Sequence, residues 1–325
     1  MSYRRKLVIA LGANVLAAPL ACLAQTQPPR LARVGMLGPG SAASNAGFRA
    51  ALLAELRALG YVEGKNIALE PRWIEAALDR LPALAAELVG LKVDAILTFQ
   101  TPAAQAAKQA TSTIPIIMAG VADPVASGLI ASLARPGGNI TGLSGATSDL
   151  AAKTLELLRD MLPATKRMGV LANSADPFSK VFVERIELAG RHLGINLMIF
   201  RVPGAEGLEA AFEEMTKAKA GAAIVQPSLP LKRAADLAIK NRLAAASPLS
   251  GFTANGGLLD YAAHQAERFR DIAFYLDKIL KGAKPVDLPV QQPRRFEMVV
   301  NLKTAKAIGL TVPEGFLVRA DKVIE

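Results

Sequence analysis

Short apolar runs alternate with amphipathic stretches along the chain from residue 32 onward. The apolar runs predict strands, and apolar residues at helical spacing predict helices at 48–59, 78–89, 102–110 and 124–133. This alternation is typical of an α/β protein whose parallel sheet is covered by helices on both faces. The predicted strands of the first half are RVGML, NIALE, DAILTF and IPIIMA.

The order of these elements repeats in the second half of the chain. Four stretches match in the same order and at nearly constant spacing, which indicates two similar lobes. The matches are RVGML with RMGVL (Arg33 with Arg167), Leu59-Gly60 with Leu193-Gly194, DAILTF with AAIVQP, and Pro115 with Pro248.

Three segments are predicted to carry the chain between the lobes: GGNITGLSGATSD, ANGGLLDYA and KGAKPVDLPVQQP. A helix at 264–280 and the strand FEMVVN remain beyond the second repeat. We therefore predict two doubly wound parallel-sheet lobes joined by a multi-strand hinge. Residues 31–143 with 259–286 would form the first lobe, and residues 144–258 with 287–325 the second. The cleft between such lobes suits a clamp that closes on a small molecule.

The first 24 residues have the pattern of a secretory signal peptide, with a basic start, an apolar middle and a small-residue end. Cleavage is predicted after Ala24, and Arg4-Arg5 also permits twin-arginine export. Cys22 is the only cysteine and would leave with the signal. Pro19 and Leu20 disfavour a lipid anchor at Cys22. The mature protein is thus predicted to be periplasmic and free of disulfides.

Composition and charge exclude several other classes of protein. Without the three basic residues of the signal the net charge of +10 becomes +7; this charge is dispersed, with no basic run longer than a pair such as Arg294-Arg295, and aromatic residues make up only 5%. Nucleic-acid binding would need a basic stripe or a known motif, so none is predicted. The two histidines, His192 and His264, are assigned to ordinary helix positions. Without a His or Cys cluster, no metal site is predicted either.

The stretch LGPGSA fits a dinucleotide-binding fingerprint at Gly38, Gly40 and Ala43. The acidic partner should follow at about 20 residues, but Glu70 lies too far along, and Pro39 stiffens the loop. We therefore predict no cofactor and interpret the stretch as a flexible loop that opens onto the cleft. No nucleophile elbow occurs, so the protein is predicted not to be an enzyme.

The sequence ADPV around Asp123 recurs as ADPF around Asp176. An Asp followed by Pro is a strong helix-start signal, because the carboxylate accepts free N–H groups and Pro has none to offer. Asp123 is therefore predicted mainly as a helix cap. Because it also follows a strand at the cleft edge, it is a candidate pocket residue as well.

In open α/β sheets, ligands bind at the loops that follow the strands. Ser41 and Thr101 are predicted to hold an anionic group, Asp123 or Asp260 to pair with an ammonium group, and Phe252 to cover an apolar part. The alternative for each polar residue is a cap or a turn. The predicted ligand-binding residues are Gly40, Ser41, Gln100, Thr101, Gly120, Asp123, Asn173, Ser174, Gln226, Ser228, Phe252 and Asp260.

Four long stretches resemble the TrpX-like family of ABC-transporter substrate-binding proteins, which have the type I periplasmic-binding-protein fold. They begin at Glu55 (ELRALGYVEGKNIALEPRW), Asp79 (DRLPALAAELVGLKVDAIL), Thr101 (TPAAQAAKQATSTIPIIMAGVADPVASGLIASLARPGGNITGLS) and Asp277 (DKILKGAKPVDLPVQQPRRFEMVVNLKTAKAIGLTVP). The resemblance implies a monomeric receptor that captures an amino acid or small organic anion and delivers it to an ABC permease.

The sequence departs from the family pattern at two places that are expected to contact the ligand. The segment QPSLPLKRAAD is short, and LDYAA replaces the usual Ser-Tyr-Gly turn. Specificity for aromatic amino acids is therefore not carried over. Two alternatives stay open: a solute sensor that presents its ligand to a membrane signalling protein, and an exported α/β enzyme.

Overall fold

The computed structural model describes residues 31–75 and 78–325. The predicted signal peptide, its cleavage after Ala24 and Cys22 lie outside these residues. In the described part of the chain, no helix has both the length and the apolar character that crossing a bilayer requires.

The strands form two sheets of matching topology. Their order is β2-β1-β3-β4-β5 in the first sheet and β7-β6-β8-β9-β10-β11-β12 in the second, so the first five strands of each follow the same path. All neighbours are parallel except β10 and β11. The strands are β1 (Ala32–Gly38), β2 (Ile67–Trp73), β3 (Ala95–Thr98), β4 (Ile116–Val121), β5 (Ile140–Ser144), β6 (Arg167–Asn173), β7 (Asn196–Val202), β8 (Ala222–Val225), β9 (Ala244–Ser247), β10 (Leu259–Ala263), β11 (Phe296–Asn301) and β12 (Lys322–Ile324).

Helices cover both faces of each sheet, as the alternating pattern predicts. Over the described residues they are α1 (Ala46–Ala58), α2 (Leu81–Gly90), α3 (Gln100–Ala110), α4 (Thr147–Met161), α5 (Ser179–Leu193), α6 (Leu208–Lys217), α7 (Leu231–Lys240), α8 (Gln265–Leu280), α9 (Leu302–Ile308) and α10 (Glu314–Leu317). Short 3₁₀ turns lie at Leu78–Arg80, Thr253–Asn255 and Pro285–Asp287.

Successive strand residues point to opposite faces and enter different cores. Met36 faces α1 and α8, whereas Leu37 faces α2 and α3. In the second sheet, Val170 faces α4 and α5, and Leu171 faces α6 and α7. All four side chains are fully buried, and each contributes roughly 1.5–3 kcal/mol by burial.

The predicted helix at 124–133 is wrong. The side chain of Asp123 does accept the N–H of Ala126 at 3.0 Å, as a cap would, but only turns follow. Gly128 has a φ of +68°, which interrupts the helical path after one turn. Side chains of α3 take up carbonyl groups of this turn, with Gln105 donating to Ser127 at 2.7 Å.

Two details of the predicted duplication need correction. Strand pairing places Ile116 of β4 where Ala245 lies in β9, so the match of Pro115 with Pro248 is out of register. β10 pairs with β9 and β11, so the lobe boundary predicted at residue 259 falls before a strand of the second sheet. The chain returns to the first sheet only after Ala263, at the start of α8.

Gly142 allows β5 to lie close to β4. Its φ is +119°, and a Cβ there would stand 2.5 Å from the carbonyl oxygen of Met118. We predict that Gly142→Ala lowers the free energy of unfolding by about 3 kcal/mol, because backbone cannot move aside as a side chain can. Urea denaturation followed by circular dichroism measures the change.

Gly47→Ala is the matched control, since a Cβ at this position in α1 meets nothing within 4 Å. It should stabilise the protein by about 0.5–1 kcal/mol, the helix-propensity gain of Ala over Gly. Equal denaturation midpoints for Gly142→Ala and the wild type would contradict the close approach of β4 and β5.

Candidate functional site

Three short segments join the lobes and meet in one region, which we call the hinge. β5 of the first sheet leads into α4, which packs on the second sheet, and β10 of the second sheet leads into α8, which packs on the first. The third segment runs from Gln291 to β11, and the N–H of Gln291 donates to Gly142 of β5 at 3.0 Å. The predicted multi-strand hinge is thus present.

A narrow cavity of about 50 Å³, partly open to solvent, lies beside all three segments, and we call it the hinge-side cavity. Both lobes close it, through Gly120 near the end of β4 and residues 248–250 after β9. Part of its wall is apolar, and part is charged. The apolar side chains include Leu143, Leu150 and Leu249, and the ionisable ones are His264, Glu267, Arg268, Asp271, Arg294 and Arg295.

Four of these ionisable residues come from one face of α8. Positions 264, 267, 268 and 271 are spaced three and four apart, so their side chains stack along the helix. His264 directly precedes the helix, and its Nδ1 is buried without a hydrogen-bond partner. The first turn of α8 therefore faces the cavity with polar groups whose hydrogen-bonding capacity is not filled.

The guanidinium group of Arg268 faces the cavity without an ion pair. It lies 5.9 Å from the ring centre of Phe48 and 5.7 Å from that of Phe269. Its Nε is buried and has no partner, and no side-chain hydrogen bond or salt bridge joins it to the described part of the chain. Burial lowers the pKa of Arg268, because desolvation disfavours the charged form. The two rings hold the side chain in place, but its charge is not neutralised.

Two carboxylates share the cavity wall with basic partners. Glu267 lies 3.5 Å from Arg295 in a pair that is well exposed and therefore weak. Burial raises the pKa of Asp271, and the charge of Arg294 opposes this effect. The cavity thus offers both signs of charge within one helix turn of each other, as binding of a zwitterion requires.

A second cavity, the outer cavity, also lies between the lobes. It is lined by four of the predicted residues, namely Gly40, Gln100, Asn173 and Ser228. These residues follow β1, β3, β6 and β8, which lie further from the hinge than β5 and β10 in the sheet order. The rule that ligands bind at the loops after the strands, which we call the strand-end rule, thus predicted residues that are far apart in the chain and lie together in the structure.

Gln100 spans the cleft at the outer cavity. Its Nε2 donates to the carbonyl oxygen of Pro227 in the second lobe at 3.0 Å. The backbone of Gln100 has a φ of +66°, which is unusual for a residue with a Cβ. A strained position at a strand end that also contacts the opposite lobe is typical of a functional residue.

Gln226 belongs to a buried network of the second lobe instead of a cavity wall. Its Oε1 accepts the N–H of Asn173 at 2.9 Å, and its Nε2 donates to Asp176 at 2.7 Å. Burial raises the pKa of Asp176, and hydrogen bonds from the N–H of Phe178 and the amide of Gln226 oppose the increase. The network fixes the loop that carries Asn173, and a role of Gln226 in binding a ligand stays a prediction.

Three of the four predicted hydroxyl residues border neither cavity, namely Ser41, Thr101 and Ser174. Ser41 exchanges hydrogen bonds with Ser44 in a local turn, where the N–H of Ser44 donates to its Oγ at 3.2 Å. Thr101 lies in the first turn of α3 and is 1% exposed, with a buried Oγ that has no partner. Ser174 is exposed, and its N–H donates to Val202 at 2.9 Å. Their part in holding an anion stays a prediction.

Asp123 lies on a different side of the hinge, in a surface pocket with Ser144, Ser148 and Gln292. One carboxylate oxygen accepts the N–H of Ala126 at 3.0 Å, and the other accepts the hydroxyl of Ser148 at 3.1 Å. Since Ser148 is part of α4, Asp123 ties the first lobe to the second. Both oxygens are engaged, so a role in holding an ammonium group stays a prediction.

Asp260 and Phe252 are interior residues of the second lobe. One oxygen of Asp260 accepts the N–H of Gly251 at 3.2 Å and both the N–H and the hydroxyl of Thr253, at 3.0 and 2.7 Å. The other oxygen is buried without a partner. Phe252 is fully buried in the core beneath α6 and α7, so its ring has no surface to offer a ligand in this conformation.

Hydrogen bonds across the cleft hold the lobes together. Besides Gln100 with Pro227 and Ser148 with Asp123, Gln265 at the start of α8 donates to Ser250 at 2.7 Å. Each of these bonds joins a strand-end loop of one lobe to an element of the other. The described conformation is therefore a closed one.

The sequence analysis missed most of the hinge-side cavity, apart from Gly120. Arg268 lies in α8 and His264 directly before it, and that helix carries charged residues at exposed positions as well, so the cavity face resembles a solvated face. The basic pair Arg294-Arg295, directly after a segment predicted to cross between the lobes, was the one further sequence signal for this cavity. His192, by contrast, is an exposed residue of α5 whose ring is bound to its own helix, at 2.8 Å from the Leu188 carbonyl.

Two doubly wound lobes that close on cavities at a three-segment hinge define a solute-binding receptor of the type I periplasmic-binding fold. The chain belongs to the family of ABC transporter substrate binding proteins, whose model matches residues 34–324. The predicted family and the predicted role as a receptor for a small solute are thereby confirmed. Partnership with an ABC transporter comes with the family.

Named relatives agree with this assignment. The chain is 28% identical over 263 residues to a tyrosine-binding protein of Clostridioides difficile (strain R20291), which covers 77% of this chain and 73% of that protein. It is 27% identical to an ABC domain from Streptococcus pneumonia in complex with L-Trp, with a TM-score of 0.81, covering 90% of this chain and 100% of that one. A conserved domain protein from Vibrio cholerae is 26% identical over 90% of this chain and 100% of that one, with a TM-score of 0.83.

The burial of Asp260 makes stability depend on pH. Desolvation raises its pKa, so between the ordinary aspartate pKa and the raised value the folded protein holds a proton that the unfolded chain releases. This contribution to the free energy of unfolding is present at low pH and is lost as pH rises through the folded pKa. We predict that Asp260→Asn, which cannot titrate, lacks this gain when the pH falls from about 7 to about 4.

Urea unfolding across that pH range checks the prediction. The difference in unfolding free energy between wild type and Asp260→Asn should move in favour of the wild type as the pH falls. Asp236→Asn on the exposed surface of α7 serves as the control and should leave the pH dependence as it is. Parallel curves for the wild type and Asp260→Asn would contradict the raised pKa.

Proposed function

We propose that the protein captures an L-amino acid in the hinge-side cavity, closes its lobes over it, and delivers it to the permease of an ABC transporter. The observation that carries this proposal is the cavity itself, which combines apolar walls with charges of both signs and is bordered by both lobes. A zwitterion with an apolar side chain matches that lining. The names of two relatives, which refer to tyrosine and L-Trp, support the same class of solute.

We further propose that the outer cavity is the entrance to the same cleft. Gly40, Gln100, Asn173 and Ser228 border it, and they come from loops that close against each other across the lobes. In this proposal the cleft is filled by solvent when the lobes part, and the bond from Gln100 to Pro227 forms on closure. The mature chain would act as a monomer in the periplasm after removal of its signal peptide, without catalysis and without nucleic acid.

A thermal-shift panel of the twenty L-amino acids tests the class of solute. A ligand that binds only the folded state stabilises it by about 2.7 kcal/mol at a hundred times its dissociation constant. We predict that one amino acid, or a small group of similar ones, raises the unfolding midpoint, with aromatic or large apolar side chains producing the largest shift. Isothermal titration calorimetry then gives the affinity. No shift with any amino acid would contradict amino-acid capture.

The bond across the cleft gives a second test. We predict that Gln100→Ala weakens binding of the amino acid selected by the panel by about 2- to 10-fold, the range expected for one hydrogen bond made only in the closed form. Small-angle scattering of the unliganded variant should show a larger radius of gyration. Gln105→Ala is the matched control, because its bond to Ser127 lies within the first lobe. If both variants bind alike, the Gln100 bond has no part in closure.

A further inference from the structure

We infer that Arg268 binds a carboxylate group of the captured solute. Its guanidinium faces the hinge-side cavity, and among the described residues it has no hydrogen bond or ion pair. This inference rests on the proposed capture of a solute in that cavity, and it identifies the chemical group that the site recognises. Arg268 would thus be a residue that determines specificity, although it lies in a helix and not in one of the loops after the strands.

Arg268 is partly buried and its Nε is fully enclosed, so a cation here without an opposite charge needs a physical explanation. Burying a charge is costly unless an opposite charge or a set of hydrogen bonds compensates for it. The rings of Phe48 and Phe269 offset part of that cost through cation–π contact, and they also fix the direction of the side chain. The donors of the guanidinium stay unused, so the protein alone does not complete the site.

The two carboxylates of the cavity wall do not pair with the guanidinium of Arg268. Glu267 pairs with Arg295, and no salt bridge within 4 Å joins Asp271 to Arg268. Both acidic residues share a helix face with Arg268 and still leave it unpaired. Among the described cations of the cavity wall, Arg268 is thus partly buried without an ion pair, whereas Arg294 is exposed, and two acidic groups remain that can receive an ammonium group.

The position of Arg268 in α8 also favours a carboxylate as its partner. It lies in the first turn of a 16-residue helix, where the helix dipole disfavours a positive side chain and favours an anion. Gly120 in β4 lies beside the stem of this side chain, since a Cβ there would stand 3.7 Å from the Cδ of Arg268. A planar carboxylate suits this place, since the guanidinium can donate two parallel hydrogen bonds to it.

Calorimetry with Arg268→Gln tests the inference. The probes are the amino acid that shifts the wild type most, its decarboxylated amine, and two acids without an amino group, benzoate and succinate. We expect Arg268→Gln to bind the amino acid about a hundredfold more weakly, the usual effect of removing one partner of a buried charge pair. Arg268→Lys should lie between the two, because it keeps the charge but loses the fork.

The decarboxylated amine supplies the internal control. It should bind the wild type weakly, and Arg268→Gln should not weaken it further, because the partner group is already missing from the ligand. Arg270→Gln is the matched variant, since it removes the same charge from an exposed position two residues along α8. Its affinities should stay within about twofold of the wild type. Without ligand, Arg268→Gln should unfold at the same temperature as the wild type or a higher one.

The outcomes separate this inference from the proposed function. Equal amino-acid affinity in the wild type and Arg268→Gln overturns the inference and leaves amino-acid capture intact. Binding of benzoate or succinate that depends on Arg268, without binding of any amino acid, supports the inference and rejects the amino-acid class. If no carboxylate among these probes and the twenty amino acids stabilises the wild type, the inference is wrong.

Discussion

The structure depends on the way in which the chain exchanges helices between its two sheets. β5 ends the first sheet and feeds a helix of the second lobe, and β10 feeds a helix of the first. The return segment at Gln291 is held to β5 by backbone hydrogen bonds to Gly142 and from Ser144. Because covalent connections and sheet hydrogen bonds meet at the hinge, the lobes can rotate there but cannot drift apart. Their strand ends, and hence their ligand-reading loops, must face each other.

Much of this architecture could be predicted from hydrophobic periodicity, because buried parallel strands are nearly continuous apolar runs. The errors arose where a local signal competed with the backbone around it. Asp123 does accept a capping N–H, yet Gly128 ends the turn, so a correct cap was taken for a whole helix. The strand at Leu259–Ala263 was assigned to the wrong lobe, although it pairs with β9, the strand just before it in the chain.

The candidate site was predictable only in part, for a related reason. The strand-end rule found Gly40, Gln100, Asn173 and Ser228, since it depends on topology alone. It does not identify the side chains of α8 as candidates, and their charged face predicts contact with solvent, as such a helix face ordinarily does. The hinge places that face opposite residues 248–250 and 292–295, and no sequence pattern predicts that these segments lie together.

The hydrogen bonds of the acidic residues determine which charge in the cleft lacks a partner. Asp123 and Asp260 were the predicted partners of an ammonium group, but both oxygens of Asp123 and one oxygen of Asp260 already accept hydrogen bonds from N–H and hydroxyl groups of the protein. Arg268 has no such internal partner, so the unmet charge of the cleft is positive. Its burial is a cost that falls on the closed conformation, in which the loop after β9 covers the cavity. A solute that neutralises Arg268 removes that cost and binds the closed form better than the open one. Such a difference in affinity is the condition for ligand-driven closure.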